Sequence, residues 1–173
     1  MSCSIPAIIR ACVAPKHSLS MPSGVWQAGL AELRRRGEGR RESGAFLLGH
    51  ITRSRRRALR FIYYDDIEPR CLDRGYVVFD GTGYGALWSL CRATGLRVVA
   101  DVHTHPLGAY QSASDRAHPM IAIKDHIAII VPNYARPPVR LTELGIYVYD
   151  GKQSWRAFEG SAAMQFLYTG LWG

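Results

Sequence analysis

Apolar positions recur along the chain with two periods, and the changes of period mark out its elements. Val25, Trp26, Leu30 and Leu33 fall at helical spacing behind Pro22-Ser23, with arginines in the last turn and Gly37 as the stop, so a helix is predicted there. Residues 43–51 and 58–64 are apolar runs flanking an arginine-rich turn, the pattern of a β-hairpin. Residues 7–14, ended by Pro15, predict a strand. Residues 65–74 are polar and broken by Pro69, which reads as a loop, and 76–79 as a short strand or part of that loop. A second helix is predicted over 82–93, where Tyr84, Leu87, Trp88, Leu90 and Cys91 precede Gly95. Residues 96–102 (LRVVADV) and 126–131 (HIAIIV) predict buried strands, with a short helix between them starting at Ser112. Asp150-Gly151 joins 144–149 to 154–158 in a second hairpin, and 162–171 predict a closing helix. Strands and helices mix without a regular βαβ alternation, so the expected class is α+β, in a single domain over residues 1–173.

The strand at 96–102 runs directly into His103-Thr104-His105-Pro106. Residues two apart on a strand share a face, so both imidazoles project together. Pro106 cannot donate to a ladder and Leu107-Gly108 suits a turn, so the strand should end there. Ser112 and Asp115 lie three apart on one face of the next helix. Two imidazoles and one carboxylate form a three-ligand zinc set with the fourth position left for water, which is a catalytic arrangement. Asp101 reads as a neighbour that orients the set or closes the strand rather than a metal ligand. His50, His118 and His126 read as structural.

Upstream, Arg41-Glu42-Ser43-Gly44-Ala45-Phe46-Leu47-Leu48-Gly49 puts a glutamate at the head of an apolar strand bounded by glycines. Together with His103-Thr104-His105-Pro106 and Ser112-x-x-Asp115, this stretch resembles the JAMM (JAB, MPN+) zinc metalloproteases, over roughly residues 24–160 by element order. One departure is visible. Nine residues separate His105 from Asp115, one fewer than is usual in that family, and the missing residue falls in the 107–111 loop, where a deletion is readily absorbed.

The resemblance implies that His103, His105 and Asp115 bind Zn2+. It implies that Glu42 takes the proton from the attacking water and passes it to the leaving amine, and that Ser112 supports the oxyanion, a role compatible with capping its helix. The implied fold is the MPN core, a curved mixed β-sheet flanked by helices and related to the cytidine-deaminase fold. The implied activity is isopeptidase or peptidase cleavage after the C-terminal glycine of ubiquitin or a ubiquitin-like protein. Between Asp115 and His126 there is no room for the insertion that grips a polyubiquitin chain, so the chain looks like the small bacterial JAB proteins. The run 114–121 (SDRAHPMI) is similar to those encoded beside ubiquitin-like, activating-enzyme-like and conjugating-enzyme-like genes in antiphage operons, which makes such proteins the implied partners. Processing of a sulfur-carrier protein is an alternative within the same chemistry. A non-catalytic MPN scaffold is another, and the presence of all five positions argues against it.

Composition alters this picture little. An apolar share of 47% and a charged share of 21% suit a globular chain of 173 residues with a sizeable core. No apolar run reaches membrane-spanning length, and the N-terminal stretch lacks a basic start and is interrupted by Arg10, so neither a membrane nor an export signal is expected. Cys3, Cys12, Cys71 and Cys91 show no Cys-x-x-Cys spacing and read as reduced thiols of a cytoplasmic protein. That spacing also excludes a nucleobase deaminase, whose zinc needs Pro-Cys-x-x-Cys. The net charge is +8, and all but three of the 22 basic residues are arginine, clustered at 34–36, 40–41, 53, 55–57 and 60. Without aromatic interleaving these runs read first as a solvated helix end and hairpin turn, and second as an attraction for an acidic partner, either a protein or a nucleic acid.

Overall fold

In the computed structural model of the protein, residues 17–53, 55–79 and 81–170 are described, and the strand expected at 7–14 lies outside them. The elements run β1 (Leu19–Pro22), α1 (Ser23–Arg36), β2 (Gly44–Ile51), β3 (Arg56–Tyr63), α2 (Tyr64–Ile67), α3 (Tyr84–Thr94), β4 (Arg97–Thr104), α4 (Ala113–Ala117) and β5 (Ile127–Val131). Two short 3-10 turns, Asn133–Ala135 and Leu141–Glu143, lead to β6 (Gly145–Gly151), β7 (Ser154–Phe158), α5 (Ser161–Phe166) and β8 (Leu167–Gly170). The eight strands form one sheet in the order β7-β6-β5-β4-β2-β3-β1-β8. Pairing is mixed: β4 with β5 and β1 with both its neighbours are parallel, and the other contacts are antiparallel. The expected α+β class is therefore observed.

β2 shows why its sequence is a continuous apolar run. Leu47 joins a core cluster with Trp26, Leu30 and Leu33 of α1, whereas Phe46 and Leu48 join a second cluster with Tyr64 and Leu87 of α3. Alternate side chains thus enter two cores on opposite faces, and no solvent-facing side is left to carry polar residues. Both predicted long helices and both hairpins are present within a residue or two of their expected bounds. Gly95, with φ 68°, closes α3 in the left-handed conformation.

Two expectations are corrected. The closing helix expected over 162–171 ends at Phe166, and the chain continues as β8 because Leu167–Gly170 pair in parallel with Leu19–Pro22. The stretch 65–74 contains a turn of helix at its start, whereas 76–79 belongs to the loop, one of its two expected readings. No helix among the described residues is long and apolar enough to cross a membrane. Cys71 and Cys91 are free thiols, and Cys3 and Cys12 lie outside the described residues.

One glycine fixes the loop that carries the candidate site. A Cβ on Gly145 would lie 1.8 Å from the Ala109 carbonyl oxygen, so only glycine lets the 106–111 loop approach β6 this closely. The Tyr147 hydroxyl, 3.1 Å from the same oxygen, holds the loop in place. Gly145→Ala is expected to lower stability by about 1–3 kcal/mol through overpacking against backbone. A thermal melt of the variant checks this, and an unchanged midpoint would show that the loop yields freely.

Candidate metal centre

β4 supplies the centre from its enclosed C-terminal end, where residues 99–104 are all buried. It lies between β2 and β5, so neither edge is free. Asp101, His103 and His105 follow one another at two-residue spacing and face one side. Beyond the strand proper, the His105 amide donates to the Val131 carbonyl (2.9 Å) and the Tyr134 amide to the His105 carbonyl (2.9 Å), which keeps the second imidazole in line with the first. Thr104 points the other way and clamps the neighbouring chain. Its amide donates to the Ser43 carbonyl at 2.8 Å, and its hydroxyl accepts from the Ser43 amide at 3.0 Å. Ser43 Oγ in turn donates to the Leu33 carbonyl at 2.7 Å. This clamp anchors Glu42 beside the end of β4.

Asp115 arrives from α4. The helix is held by a capping box in which Ser112 Oγ accepts from the Asp115 amide (3.1 Å) and the Ser112 amide donates to Asp115 Oδ2 (2.7 Å). The cap fixes the carboxylate at the ends of the two imidazoles. His103 Nε2 and His105 Nε2 lie 3.0 Å apart, and they are 3.6 and 3.3 Å from Asp115 Oδ1 and Oδ2 respectively. Their donor atoms lie within 4.8 Å of one another, and this is the one such group of His, Cys, Asp or Glu among the described residues. Two imidazole nitrogens facing each other beside a carboxylate are the donor set a cation requires, the cation taking the place of the proton that otherwise sits between them.

Behind the donors lies a buried carboxylate. Asp101 is 1% exposed. Its Oδ1 is 2.6 Å from His126 Nε2, its Oδ2 accepts from the Tyr64 hydroxyl at 3.1 Å, and the same Oδ2 faces His103 Nδ1 at 3.9 Å. With Nδ1 turned to Asp101, the Nε2 of His103 is left to face the donor cluster, the usual way a carboxylate behind a metal-binding histidine fixes ring and tautomer. Burial alone would raise the Asp101 carboxyl, but hydrogen bonds from His103 and His126 outweigh it and hold it below its ordinary value. Burial likewise opposes a charge on His103, but the Asp101 and Asp115 carboxylates facing its two nitrogens prevail and raise it to about 10. Asp115 is held well below the carboxylate range, where burial is outweighed by hydrogen bonds from His103 and His105. Tyr64 is pushed well above its usual value by burial and by the Asp101 charge.

The predicted residues divide as follows. His103, His105 and Asp115 converge, and Glu42 lines the same cavity, of about 370 Å3, together with His103, Asp115 and Gln111. The Val77 amide donates to Glu42 Oε2 at 3.4 Å, and the Glu42 amide donates to the Gly75 carbonyl at 2.9 Å. Ser112 is the cap of α4 and is not among the residues lining the cavity. His50 is exposed at the far end of β2, and His118 lines the cavity outside the donor cluster. Tyr64 and His126 have no local motif. Their role follows only from the packing of α2 and β5 against β4.

No profile of a known protein family matches the chain. A probable metalloprotease of Sinorhizobium fredii is 34% identical over 61 residues, which is 35% of this chain and 38% of that protein, so well under half of the relative is spanned. Two structures determined in solution resemble it in fold. A Desulfitobacterium hafniense protein matches with a TM-score of 0.62 at 17% identity, covering 88% of this chain and 94% of the other. A Salinibacter ruber protein matches with a TM-score of 0.53 at 21% identity, covering 80% and 86%. At such identities the likeness is one of fold alone.

His105→Ala and Asp115→Ala each remove a donor, and each is expected to lose most of a metal content of about one ion per chain. His126→Ala removes no donor but frees Asp101 to turn away from His103, so metal retention against a chelator should weaken about 10–100-fold. Elemental analysis and chelator competition check both. Equal metal in wild type and the two donor variants would refute the cluster as a metal centre.

Proposed function

We propose that the protein is a metal-dependent hydrolase, and more narrowly a JAMM-type zinc metallopeptidase with an MPN fold in a single domain. The observation that carries this reading is the convergence of His103, His105 and Asp115 at the border of a cavity that His103, Asp115 and Glu42 line. Two imidazoles and a carboxylate match the donor preferences of zinc and leave a position open, as catalytic rather than structural sites do. The local likeness to a probable metalloprotease points the same way. Zinc held there supplies Lewis acidity, lowering the pKa of water and polarising a carbonyl.

The chain's own groups supply the rest. Glu42 is outside the donor cluster, so its carboxylate is available to take a proton from the attacking water and return it to the leaving amine. Ser112 stands outside the cavity lining as the cap of α4, but its Oγ uses only a lone pair there and retains its own proton. It could therefore donate to a developing oxyanion only where the substrate reaches past the lining, a contribution of about 3 kcal/mol at comparable sites. A cavity of about 370 Å3 admits a short extended stretch of chain and leaves a folded body outside. That geometry favours the C-terminal tail of a ubiquitin-like protein, ending in the glycine that allows close backbone approach. Activating-enzyme-like and conjugating-enzyme-like proteins, in a bacterial cytoplasm, are the partners such a substrate implies, and a sulfur-carrier protein would offer the same glycine tail.

Glu42→Gln preserves size but cannot accept a proton, so metal should stay bound while cleavage falls at least ~100-fold. Normal turnover by the variant would assign the base to another residue. Substrate class is tested with a ubiquitin-like fusion, the same fusion with its terminal glycine replaced by a bulky residue, and casein. Cleavage of the first alone is expected. Equal cleavage of the two fusions, or preference for casein, would mean a metallopeptidase of different specificity.

A further inference from the structure

A second cavity opens at the other end of β4 from His103. It is an open groove of about 420 Å3 where the start of β4 meets the end of β2, α3 and the approach to β5. Its floor is apolar, formed by Ile51, Trp88, Leu96, Val98 and Ile121, with Ile123 at the margin. Two of these are large hydrophobic residues facing solvent, Ile123 at 65% and Trp88 at 37% exposure. Clustered exposed apolar surface of this kind marks a contact site, whereas single exposed residues do not.

Its rim carries Arg56, Arg97 and Lys124, and one carboxylate, Asp125, faces them. That carboxylate is also engaged from outside by Arg156, at 3.4 Å. Arg56 is held by carbonyls, donating to those of Val99 (2.9 Å) and Asp125. Burial lowers its pKa, and the nearby Arg97 charge adds to that effect against the opposing Asp125. Like charges held together beside an apolar floor leave a positive field that an anion relieves. A second copy of the chain, carrying its own charge of +8, is opposed by the same field.

We propose that this groove docks an acidic, amphipathic segment of a partner protein, its apolar side chains on the Trp88–Ile123 floor and its carboxylates against Arg56, Arg97 and Lys124. The openness of the groove suits a side-chain-bearing face rather than an enclosed small molecule. Docking there also touches the back of the metal centre, because His126 lines the groove and Asp101, its hydrogen-bonded partner, lines the metal cavity. The surface is nevertheless independent of the metal and of any peptidase activity.

The test titrates the full chain by calorimetry with three synthetic peptides: one alternating leucine and glutamate, its twin with lysine for glutamate, and its twin with serine for leucine. Only the first should bind, and its affinity should fall with added salt. Arg97→Glu and Ile123→Asp, both exposed and outside the core, should each weaken it at least about tenfold. Binding should persist in His105→Ala, which separates this result from the fate of the metal centre. Equal binding of either twin, full affinity in both variants, or no binding of the first peptide would overturn the proposal. So would sedimentation showing a dimer that Ile123→Asp dissociates, because the occupant would then be a second copy.

Discussion

A carboxylate at 1% exposure in the middle of a sheet has to be given partners, and most of the centre's architecture follows from how Asp101 receives them. Tyr64 comes from the turn of helix after β3, His126 from the residue before β5, and His103 from two positions further along the same strand. Removing one partner of such a buried charge costs about 3–5 kcal/mol, so the three elements are tied to one another through a single side chain. The parallel pairing of Asp101 with Ala128 puts His126 within reach, since parallel strands advance in step. An antiparallel neighbour would bring a different part of the chain to that point.

The arginine clusters divide by neighbourhood. In α1 the charges are largely balanced: Arg35 and Arg36 share Glu32, and Arg36 also reaches Asp65 and Asp66 and lies over the Tyr63 ring. Arg40 and Arg41 meet Glu38. The helix end read from sequence as merely solvated is therefore a knot that fastens α1 to the chain after β3. The basic residues around the β2–β3 turn and the start of β4 have fewer acids near them, and the excess charge is felt there.

How much could be read beforehand depended on range along the chain. His103, His105 and Asp115 were legible because strand spacing and a first helical turn bring them together within a dozen or so residues. Glu42 is legible only through the resemblance of its motif to a family pattern, since the Thr104 that clamps the neighbouring Ser43 lies 61 residues away and nothing local announces the clamp. Tyr64 and His126 lie 37 and 25 residues from Asp101, so nothing local in the sequence ties them to it. The C-terminal misreading has a parallel cause. Ala162, Ala163 and Met164 begin a helix, and Leu167-Tyr168-Thr169 would extend it but for a strand at the opposite end of the sequence. That strand, Leu-Ser-Met-Pro, is too short to carry a period of its own.

β1 makes two paired positions with β3 and four with β8. A nascent chain emerging from the ribosome has β2 to β5 in hand once Val131 is clear, with every donor of the metal centre already present. The Leu19–Pro22 strand must wait until Leu167–Gly170 have been made before its main partner exists. Biosynthesis therefore completes the chemical half of the molecule before the β1–β8 border. A message truncated before codon 167 would yield a product with its donors assembled and an unpaired strand edge exposed to any other chain nearby.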